Sequence, residues 1–394
     1  MLSRKERTCD LLENQLPATF EEFSEARRAG FLRAKEIKDA GGKIAGIFCT
    51  FTPVEILDAA GIYPVSLCGT SNETVAIAEA ELPKNLCPLI KSSYGFAVSD
   101  RCPYTYFSDI IVGETTCDGK KKMYELLGRF KNVYVMHLPQ GIDREYDKKL
   151  WIAELHRFAE ALEEQFQVKI TDEALRDACE RWNRQRRAKT ALLELQKQVP
   201  PPAFAMDLFK VMDSSNFSFN RQGITEAIER MTQKIQDDYD TGQRPVPESS
   251  KRILVTGCPI GGVLSKTVGL IEANGGVVVC LENCGGIKPS RLMVDTNCED
   301  IYEAIADRYL DIGCAVMTPN VRRMELLREL IEEFQIEGIV DVVLQSCHPY
   351  NVEGSLVKSI AKEFNVPYMS IETDYSDTDV GQLSTRLTAL LELL

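Results

Sequence analysis

Short apolar strands alternate with helical stretches in two parts of the chain, and this alternation constrains the fold more than any other feature. In the first part, strands are predicted over 44–50, 63–67, 108–113 and 132–138. In the second part, they are predicted over 252–257, 276–282, 338–344 and 367–372, with 314–318 as a weaker candidate. Such alternation is typical of parallel sheets covered by helices. We therefore predict an α/β protein with two doubly wound parallel-sheet domains that face each other across a cleft.

The remaining sequence is helical in pattern. An N-terminal helical arm is predicted to stop at Gly41 and Gly42, since glycine commonly follows a helix end. Long amphipathic helices are predicted after the first α/β part, followed by a linker rich in proline and serine. The predicted boundaries are an arm over 1–42, a first α/β domain over 43–147, a helical segment and linker over 148–250, and a second α/β domain over 251–394.

Charge and hydropathy exclude two classes of partner. The chain has 59 acidic and 46 basic side chains, a formal net charge of −13. An acidic surface repels phosphate backbones, so nucleic-acid binding is not expected. No apolar run approaches the roughly 18 residues of a membrane span, and the first residues lack the apolar core of a signal peptide. We expect a cytoplasmic protein without membrane contact. The glycine loop at 256–262 fits no nucleotide-binding motif, so no nucleotide is assigned.

The chain has 13 cysteines and only 3 histidines. Disulfides are rare in a reducing cytosol, so these cysteines are either buried small side chains or metal ligands. Few histidines and the lack of any C-x-x-C pair argue against zinc ribbons. Any metal site must therefore combine thiols from distant segments. Sites rich in thiolate and poor in histidine suit iron–sulfur clusters best.

Most cysteines are predicted at the carboxyl ends of strands, where open parallel sheets bind ligands. Those that follow a predicted strand are Cys49, Cys68, Cys117, Cys258, Cys284 and Cys347, while Cys87 opens a predicted helix and Cys314 precedes a Met-Thr-Pro turn. The competing interpretation is that each is a buried residue beside a strand. Core positions are predicted for Cys179 and Cys280. No chemistry is indicated for Cys9 or Cys298, and Cys102 is left open between ligand and structural residue.

Several charged residues lie beside these thiols in the sequence. Three lysines, Lys120–Lys122, follow Cys117 at a helix start, where cations are normally unfavourable. An anionic cluster would explain them, and so would a solvated surface. A proton donor next to Cys347 is one interpretation of His348, and an ordinary histidine is the other. Glu55 lies in a first helical turn, where it either interacts with the helix dipole or acts as an acid–base group.

The segments that contain these cysteines resemble the cluster-carrying subunits of the 2-hydroxyacyl-CoA dehydratase family, and within it the double-cubane cluster branch most closely. The resemblance runs from about residue 40 to the end. The segments that carry it include GIFCTFTPVEILDAAG, LPKNLCPLIKSSYGFAVSDRCPY, GETTCDGKKKMYE, LENCGGIKP, GCAVMTPN and VLQSCHPYNVEGS.

The resemblance implies which thiols are ligands. The three cysteines that bind one 4Fe-4S cluster in the family match Cys87, Cys117 and Cys347. Three further strand-end thiols, Cys49, Cys284 and Cys314, complete the six ligands that a double-cubane 8Fe-9S cluster requires. Either Cys102 or Cys68 could replace one of the six.

The resemblance also implies a function and partners. The expected protein is a homodimeric oxidoreductase that an ATP-hydrolysing reductase, with its own 4Fe-4S cluster, supplies with low-potential electrons. It would reduce small molecules with multiple or N–N bonds, with His348, Lys91 or Glu55 as proton or orienting groups. The alternatives are a 2-hydroxyacyl-CoA dehydratase subunit with a single 4Fe-4S cluster and an electron-storage protein.

Overall fold

The computed structural model describes residues 25–258 and 260–394. It divides into two compact units, each built around a four-stranded parallel sheet. The described part of unit 1 comprises 25–138 and 154–171, and that of unit 2 comprises 139–153, 172–258 and 260–394. The predicted α/β class with two parallel sheets is confirmed. The first part of the predicted N-terminal arm, including Cys9, lies outside the described residues.

Unit 1 alternates strands with helices in the predicted order. Its elements up to the third strand are α1 (Glu25–Asp39), β1 (Lys43–Ile47), α2 (Val54–Ala59), β2 (Ile62–Ser66), α3 (Val75–Ala78), α4 (Pro88–Val98), α5 (Pro103–Phe107) and β3 (Ile110–Glu114). They are followed by α6 (Asp118–Leu127) and β4 (Val133–Met136). As predicted, α1 stops just before Gly41, whose φ of +82° is a conformation that glycine adopts without strain.

The helical segment between the two α/β parts contains four long helices and a short 3-10 turn. These are α7 (Glu145–Phe166), α8 (Asp172–Glu194), the turn Leu195–Lys197, α9 (Ala205–Ser215) and α10 (Arg221–Asp240). The last three helices belong to unit 2, whereas α7 contributes residues to both units. Buried leucine and isoleucine side chains join α8, α9 and α10 into a small core of their own.

Unit 2 repeats the strand–helix alternation around the second sheet. Its elements up to α13 are β5 (Lys251–Gly257), α11 (Gly262–Ala273), β6 (Gly276–Glu282), α12 (Ile287–Ser290) and α13 (Ile301–Leu310). They are followed by α14 (Val321–Glu333), β7 (Gly338–Leu344), α15 (His348–Glu363), β8 (Tyr368–Thr373) and α16 (Val380–Glu392). Every residue of β6 and β7 is buried, as expected for parallel strands covered on both faces.

The two sheets have the same strand order. Unit 1 is ordered β2-β1-β3-β4 and unit 2 is ordered β6-β5-β7-β8, so each strand has a counterpart at the same place in the other sheet. All strand pairs within these two sheets are parallel. The two α/β parts are therefore structural repeats, a relationship that their sequences do not reveal.

One predicted strand is wrong. Residues 314–318 form a turn, in which the Met317 N–H donates to the Cys314 carbonyl at 2.9 Å. The Thr318 N–H donates to the backbone carbonyl of Gln140 at 2.6 Å. Pro319 has no N–H that could pair with a neighbouring strand. None of the helices in the described part of the chain is long and apolar enough to cross a membrane.

Candidate metal centre

Three strand ends in each unit are followed by a cysteine, and the positions correspond between the two sheets. Cysteines follow β1, β2 and β3 at Cys49, Cys68 and Cys117, and they follow β5, β6 and β7 at Cys258, Cys284 and Cys347. The correspondence extends to local structure, because the third cysteine of each set is the N-cap residue of the next helix. Carboxyl ends of parallel strands are where this class of sheet binds ligands.

A fourth thiol in each unit lies in the connection between the second and third strands. In unit 1 it is Cys87, which is buried and is the N-cap residue of α4. In unit 2 it is Cys314, which begins the turn between α13 and α14. None of the cysteines that the structure describes forms a disulfide. Each unit thus has four thiols at matching places in its sequence of strands.

The other described cysteines have local structural contacts. At the N-cap of α5, the Cys102 sulfur accepts a hydrogen bond at 3.5 Å from a backbone N–H of the same helix. The Cys298 thiol donates to a backbone carbonyl two residues along the chain at 3.2 Å. Cys179 and Cys280 are buried, and burial raises the pKa of the Cys280 thiol well above its ordinary value. These last two occupy the predicted core positions.

A partly buried lysine lies beside the strand-end thiols of unit 1. Lys120, in the first turn of α6, donates to the carbonyl of Phe48 at 2.9 Å, and the Cys68 thiol donates to the same carbonyl at 3.4 Å. Burial alone would lower the pKa of Lys120. The hydroxyl of Tyr124 and the thiols that follow β1, β2 and β3 outweigh it and hold that pKa above its ordinary value. Three thiols of unit 1 therefore share one cation.

Unit 1 also buries a carboxyl group that forms no ion pair with the described residues. Glu114, the last residue of β3, is fully buried, and the Thr52 hydroxyl donates to its Oε1 atom. Among the described residues, its Oε2 atom has no hydrogen-bond partner. Burial raises the pKa of Glu114 to about 7, although Thr52 and Lys120 act in the opposite direction. This carboxyl group consequently changes charge near neutral pH.

Unit 2 also buries a carboxylate at a strand end, on the strand at the other side of its central strand, and pairs it with two cations. Glu282, the last residue of β6, is fully buried, with Lys288 Nζ at 3.1 Å from Oε1 and Arg323 Nη2 at 3.2 Å from Oε2. The Thr256 hydroxyl donates to Oε2 at 2.5 Å. Burial alone would raise the pKa of Glu282, but Arg323 and Lys288 outweigh it and hold the pKa below its ordinary value.

A chain of polar contacts leads from this carboxylate to a thiol. Lys288 donates to the hydroxyl of Tyr350 at 3.0 Å, and that hydroxyl donates to the Cys314 sulfur at 3.9 Å. Burial would lower the pKa of Lys288, but Glu282, Cys284 and Cys314 outweigh it, so the pKa lies above its ordinary value. Thiols of unit 2, like those of unit 1, are thus accompanied by a lysine that stays charged.

A second buried ion pair completes this network. Arg323 lies between Glu282 and Glu353, pairing with both, and its Nη2 atom also donates to Thr256 at 2.8 Å. Asn320 donates to Glu353 Oε1 at 2.6 Å. Glu353 is therefore held as an ion-pair partner inside unit 2.

The three residues predicted as proton or orienting groups lie in different surroundings. Glu55 is fully buried in the first turn of α2. Lys91 is buried in α4, where its ammonium donates to Glu79 Oε1 and to the Lys84 carbonyl, both at 2.8 Å. His348 is exposed as the first residue of α15, directly after Cys347. The structure does not bring these three side chains together within one unit.

Only one member of the lysine trio faces the thiols. Lys121 pairs with Asp118 at 2.7 Å and Lys122 pairs with Glu125, in both cases between exposed side chains of the same helix. These two fit the solvated-surface interpretation, whereas Lys120 fits the interpretation that a cation accompanies the thiols.

Four residues around the thiols were not predicted as part of a site: Glu114, Glu282, Arg323 and Tyr350. A signal existed for two of them, because a charged residue that ends an otherwise apolar strand is unusual, as in IIVGE and GVVVCLE. The helical residues gave no such signal.

The donors at the strand ends are thiols, the ligands that iron–sulfur clusters take. No three His, Cys, Asp or Glu residues of the described chain are placed to hold one metal ion. A single zinc ion needs every thiolate about 2.3 Å from one point, whereas the irons of a cluster each take their own thiolate. Strand-end thiols with a charged lysine beside them would fit an anionic iron–sulfur cluster.

Comparison with known proteins identifies the family to which the chain belongs. The family model described as 2-hydroxyglutaryl-CoA dehydratase, D-component, matches residues 49–394. The chain belongs to this D-component family. The matched region of the D-component begins at Cys49, so it includes all the strand-end thiols of both sheets.

Individual relatives cover nearly the whole D-component chain. It is 48% identical over 384 residues to "Putative dehydratase subunit YjiM" of Escherichia coli K12, covering 97% of this chain and 100% of the relative. It is 23% identical to the (R)-phenyllactyl-CoA dehydratase beta subunit of Clostridium sporogenes, covering 91% and 94% of the two chains. It is 20% identical to a benzoyl-CoA reductase subunit of Thauera aromatica, covering 87% and 89%. The relatives are named as subunits of dehydratases and of a reductase.

Proposed function

We propose that this D-component binds a double-cubane 8Fe-9S cluster and reduces small molecules with electrons of low potential. The proposed ligands are three thiols in unit 1 and three in unit 2: Cys49, Cys87, Cys117, Cys284, Cys314 and Cys347. The cluster would supply one-electron reducing power. The chain itself would bind the cluster, balance its charge and hold the substrate.

The observation that carries this proposal is the duplication of the thiol set. Both sheets have the same strand order and place cysteines after the same strands and before the same helix. The single cubane that the resemblance implies needs only Cys87, Cys117 and Cys347. The remaining strand-end and connection thiols supply enough ligands for a second cubane in the same chain.

The lysines support the same proposal. A thiolate-bound cluster is anionic, and burying an uncompensated anion is costly. Each thiol set has one lysine whose pKa lies above its ordinary value, Lys120 in unit 1 and Lys288 in unit 2. These ammonium groups remain charged at neutral pH and would stabilise the added electron.

Iron and acid-labile sulfide per chain test the proposal directly. Protein prepared without oxygen should contain about 8 iron atoms and about 9 sulfides per chain. About 4 iron atoms would contradict the double cubane and support a dehydratase subunit with a single 4Fe-4S cluster. Iron-free protein would contradict both.

Serine variants test which thiols are ligands. Cys117→Ser and Cys347→Ser should each remove at least half of the iron, because each removes one of the proposed cluster ligands. Cys179→Ser is the matched control, since this buried thiol lies in the core of α8. Cys49→Ser and Cys68→Ser should be compared as a pair, because both thiols lie near Lys120. Full iron content in Cys117→Ser would contradict the assignment.

The partners belong to the same proposal. We infer that an ATP-hydrolysing reductase with its own 4Fe-4S cluster donates electrons, and that the chain forms a homodimer. The cluster signal in electron paramagnetic resonance should then grow when reductase, ATP and reductant are all present. It should not grow when ATP is replaced by ADP. Light scattering should give twice the mass of 44.2 kDa.

A dehydratase subunit is the second candidate, and the names of the relatives favour it. It predicts a second, different subunit that co-purifies with this chain, together with binding of an acyl-CoA. The reductase proposal predicts neither, and it predicts turnover of acetylene, azide or hydrazine. ATP-dependent reduction without any turnover would instead identify an electron-storage protein.

A further inference from the structure

Tyr350 links a buried lysine to one of the proposed ligands in unit 2. Its side chain is 6% exposed in the first turn of α15, and its hydroxyl contacts Lys288 Nζ at 3.0 Å and the Cys314 sulfur at 3.9 Å. We propose that Tyr350 is a positioning residue, whose hydroxyl holds the Cys314 sulfur and transmits the charge of Lys288 to it.

The direction of these hydrogen bonds follows from the chemistry of the donors. A lysine ammonium can only donate, so Lys288 must give its N–H to the oxygen of Tyr350. The phenol proton is then free to point elsewhere, and the Cys314 sulfur is the acceptor within reach. Donation from a cation also polarises the phenol, which strengthens the hydrogen bond that it donates in turn.

The surrounding charges keep the tyrosine in place. The Arg323 guanidinium carbon lies 4.8 Å from the centre of the Tyr350 ring, and Lys288 Nζ lies 5.5 Å from it. Arg323 also pairs with Glu353, which lies on the same helix as Tyr350, while Lys288 is anchored 3.1 Å from Glu282. Buried ion pairs therefore fix Lys288 and the helix that carries Tyr350. This holds the Tyr350 hydroxyl in place toward the Cys314 sulfur.

Unit 1 has a different arrangement around its lysine. Lys120 donates to the backbone carbonyl of Phe48, and the Cys68 thiol donates to that carbonyl as well. The lysine of unit 2 instead reaches a sulfur through a tyrosine hydroxyl. A donor to sulfur stabilises the reduced, more negative form of a cluster, so the set that contains Cys314 should be easier to reduce because of Tyr350.

Tyr350→Phe removes the hydroxyl and keeps the ring. The redox part of the inference rests on the proposed cluster. In oxygen-free holoprotein, the reduction equilibrium of the cluster should become about tenfold less favourable, which equals about 59 mV for a one-electron couple. A potentiometric titration followed by electron paramagnetic resonance measures this shift. The matched control is Tyr368→Phe, whose hydroxyl donates to Asp341 at 2.9 Å.

A second readout does not depend on the cluster. In the metal-free full-length chain, iodoacetamide should alkylate Cys314 several-fold more slowly in Tyr350→Phe than in the wild type, because the sulfur loses the donor that stabilises its negative charge. Peptide mass spectrometry follows Cys314 alone, and Cys258 provides an internal reference. Tyr368→Phe should change neither the rate nor the potential.

The two readouts separate the inference from the proposed function. If the wild type binds no iron but Cys314 is alkylated more slowly in Tyr350→Phe, the proposed function fails and the hydrogen bond stands. If iron is bound but neither the potential nor the alkylation rate differs from the Tyr368→Phe control, the positioning role is overturned. A lower unfolding midpoint with an unchanged potential would overturn it too, because that is the signature of a purely structural tyrosine.

Discussion

The two units bury a carboxyl group at a strand end, and they handle its charge in opposite ways. In both, a threonine from the end of the first strand or the loop after it donates to the carboxyl group, Thr52 to Glu114 and Thr256 to Glu282. In the described part of unit 1 no cation forms an ion pair with the carboxyl group, and burial raises the pKa of Glu114 to about 7. In unit 2, two cations pair with Glu282 and hold its pKa below its ordinary value.

The difference shows that one topology can accommodate a buried acid by neutralisation or by ion pairing. Neutralisation leaves unit 1 with a carboxyl group, Glu114, that titrates near neutral pH. It also leaves Lys120 available to balance negative charge on the thiols. Ion pairing keeps Glu282 of unit 2 charged near neutral pH. It also places Lys288 and Arg323 in one network of contacts with Tyr350. Substitutions at the two carboxyl groups should therefore have opposite effects.

Glu282→Gln should have the largest effect. The substitution leaves Lys288 and Arg323 with less buried negative charge, and removing one partner of a buried ion pair typically costs about 3–5 kcal/mol in the free energy of unfolding. Urea unfolding followed by tryptophan fluorescence reports on this unit, because both tryptophans, Trp151 and Trp182, belong to unit 2.

The control for this substitution is an exposed ion pair of the same unit. Glu303 pairs with Lys148 at 2.7 Å, and its side chain is 52% exposed. Glu303→Gln should change the free energy of unfolding by less than about 1 kcal/mol, as exposed pairs do. Equal losses in the two variants would contradict the distinction between buried and exposed pairing in unit 2.

The sheets could be predicted because apolar runs of strand length alternate with amphipathic helices. The strand-end thiols could also be located, since their positions depend only on where each run stops. The segment 314–318 was predicted wrongly for a related reason. Its apolar residues resemble a strand, but a turn hydrogen bond between Met317 and Cys314, which hydropathy does not encode, bends the chain.

Charged residues around the thiols could be predicted only in part, because neighbouring residues of one type have different environments. Arg322 and Arg323 are adjacent in α14, yet Arg322 pairs with Asp311 at the surface and Arg323 is fully buried. Likewise Lys120 contacts the Phe48 carbonyl, and the next lysine pairs at the surface. Helix rotation and tertiary packing decide between such neighbours, and one sequence does not show them. The choice between Cys49 and Cys68 stays a prediction for the same reason.

Glu114→Gln should have the opposite sign to Glu282→Gln, and its effect should depend on pH. Because the folded-state pKa of Glu114 is raised from 4.5 to about 7, the folded protein holds a proton that the unfolded chain releases between these values. Stability is therefore fully present below about pH 4.5 and falls as the pH rises toward 7. The difference between the two pKa values corresponds to about 3 kcal/mol above pH 7.

Glutamine stays neutral and should avoid this loss. Glu114→Gln should stabilise unit 1 by up to about 3 kcal/mol at pH 8 and change little near pH 4.5. Hydrogen exchange in peptides from β3 measures the stability of unit 1 by itself, which fluorescence does not. Stabilisation of the same size at both pH values would show that the carboxyl group does not titrate as proposed.

The two threonines should give the smallest effects, and a matched pair of variants compares them. Thr256 donates to a permanently charged carboxylate and accepts from Arg323, so Thr256→Val should cost about 1.5–3 kcal/mol, the range for hydrogen bonds to charged groups. Thr52 donates to a carboxyl group that is mostly neutral below pH 7, so Thr52→Val should cost about 1 kcal/mol at pH 6. Valine has nearly the same shape as threonine, so both changes remove mainly the hydroxyl contacts.

Hydrogen exchange in β3 and β6 peptides gives the two losses separately. The loss at Thr52 should grow as the pH rises above 7 and Glu114 ionises, whereas the loss at Thr256 should stay constant. A constant loss at both positions would mean that the two carboxyl groups carry the same charge throughout, and the contrast between the units would disappear.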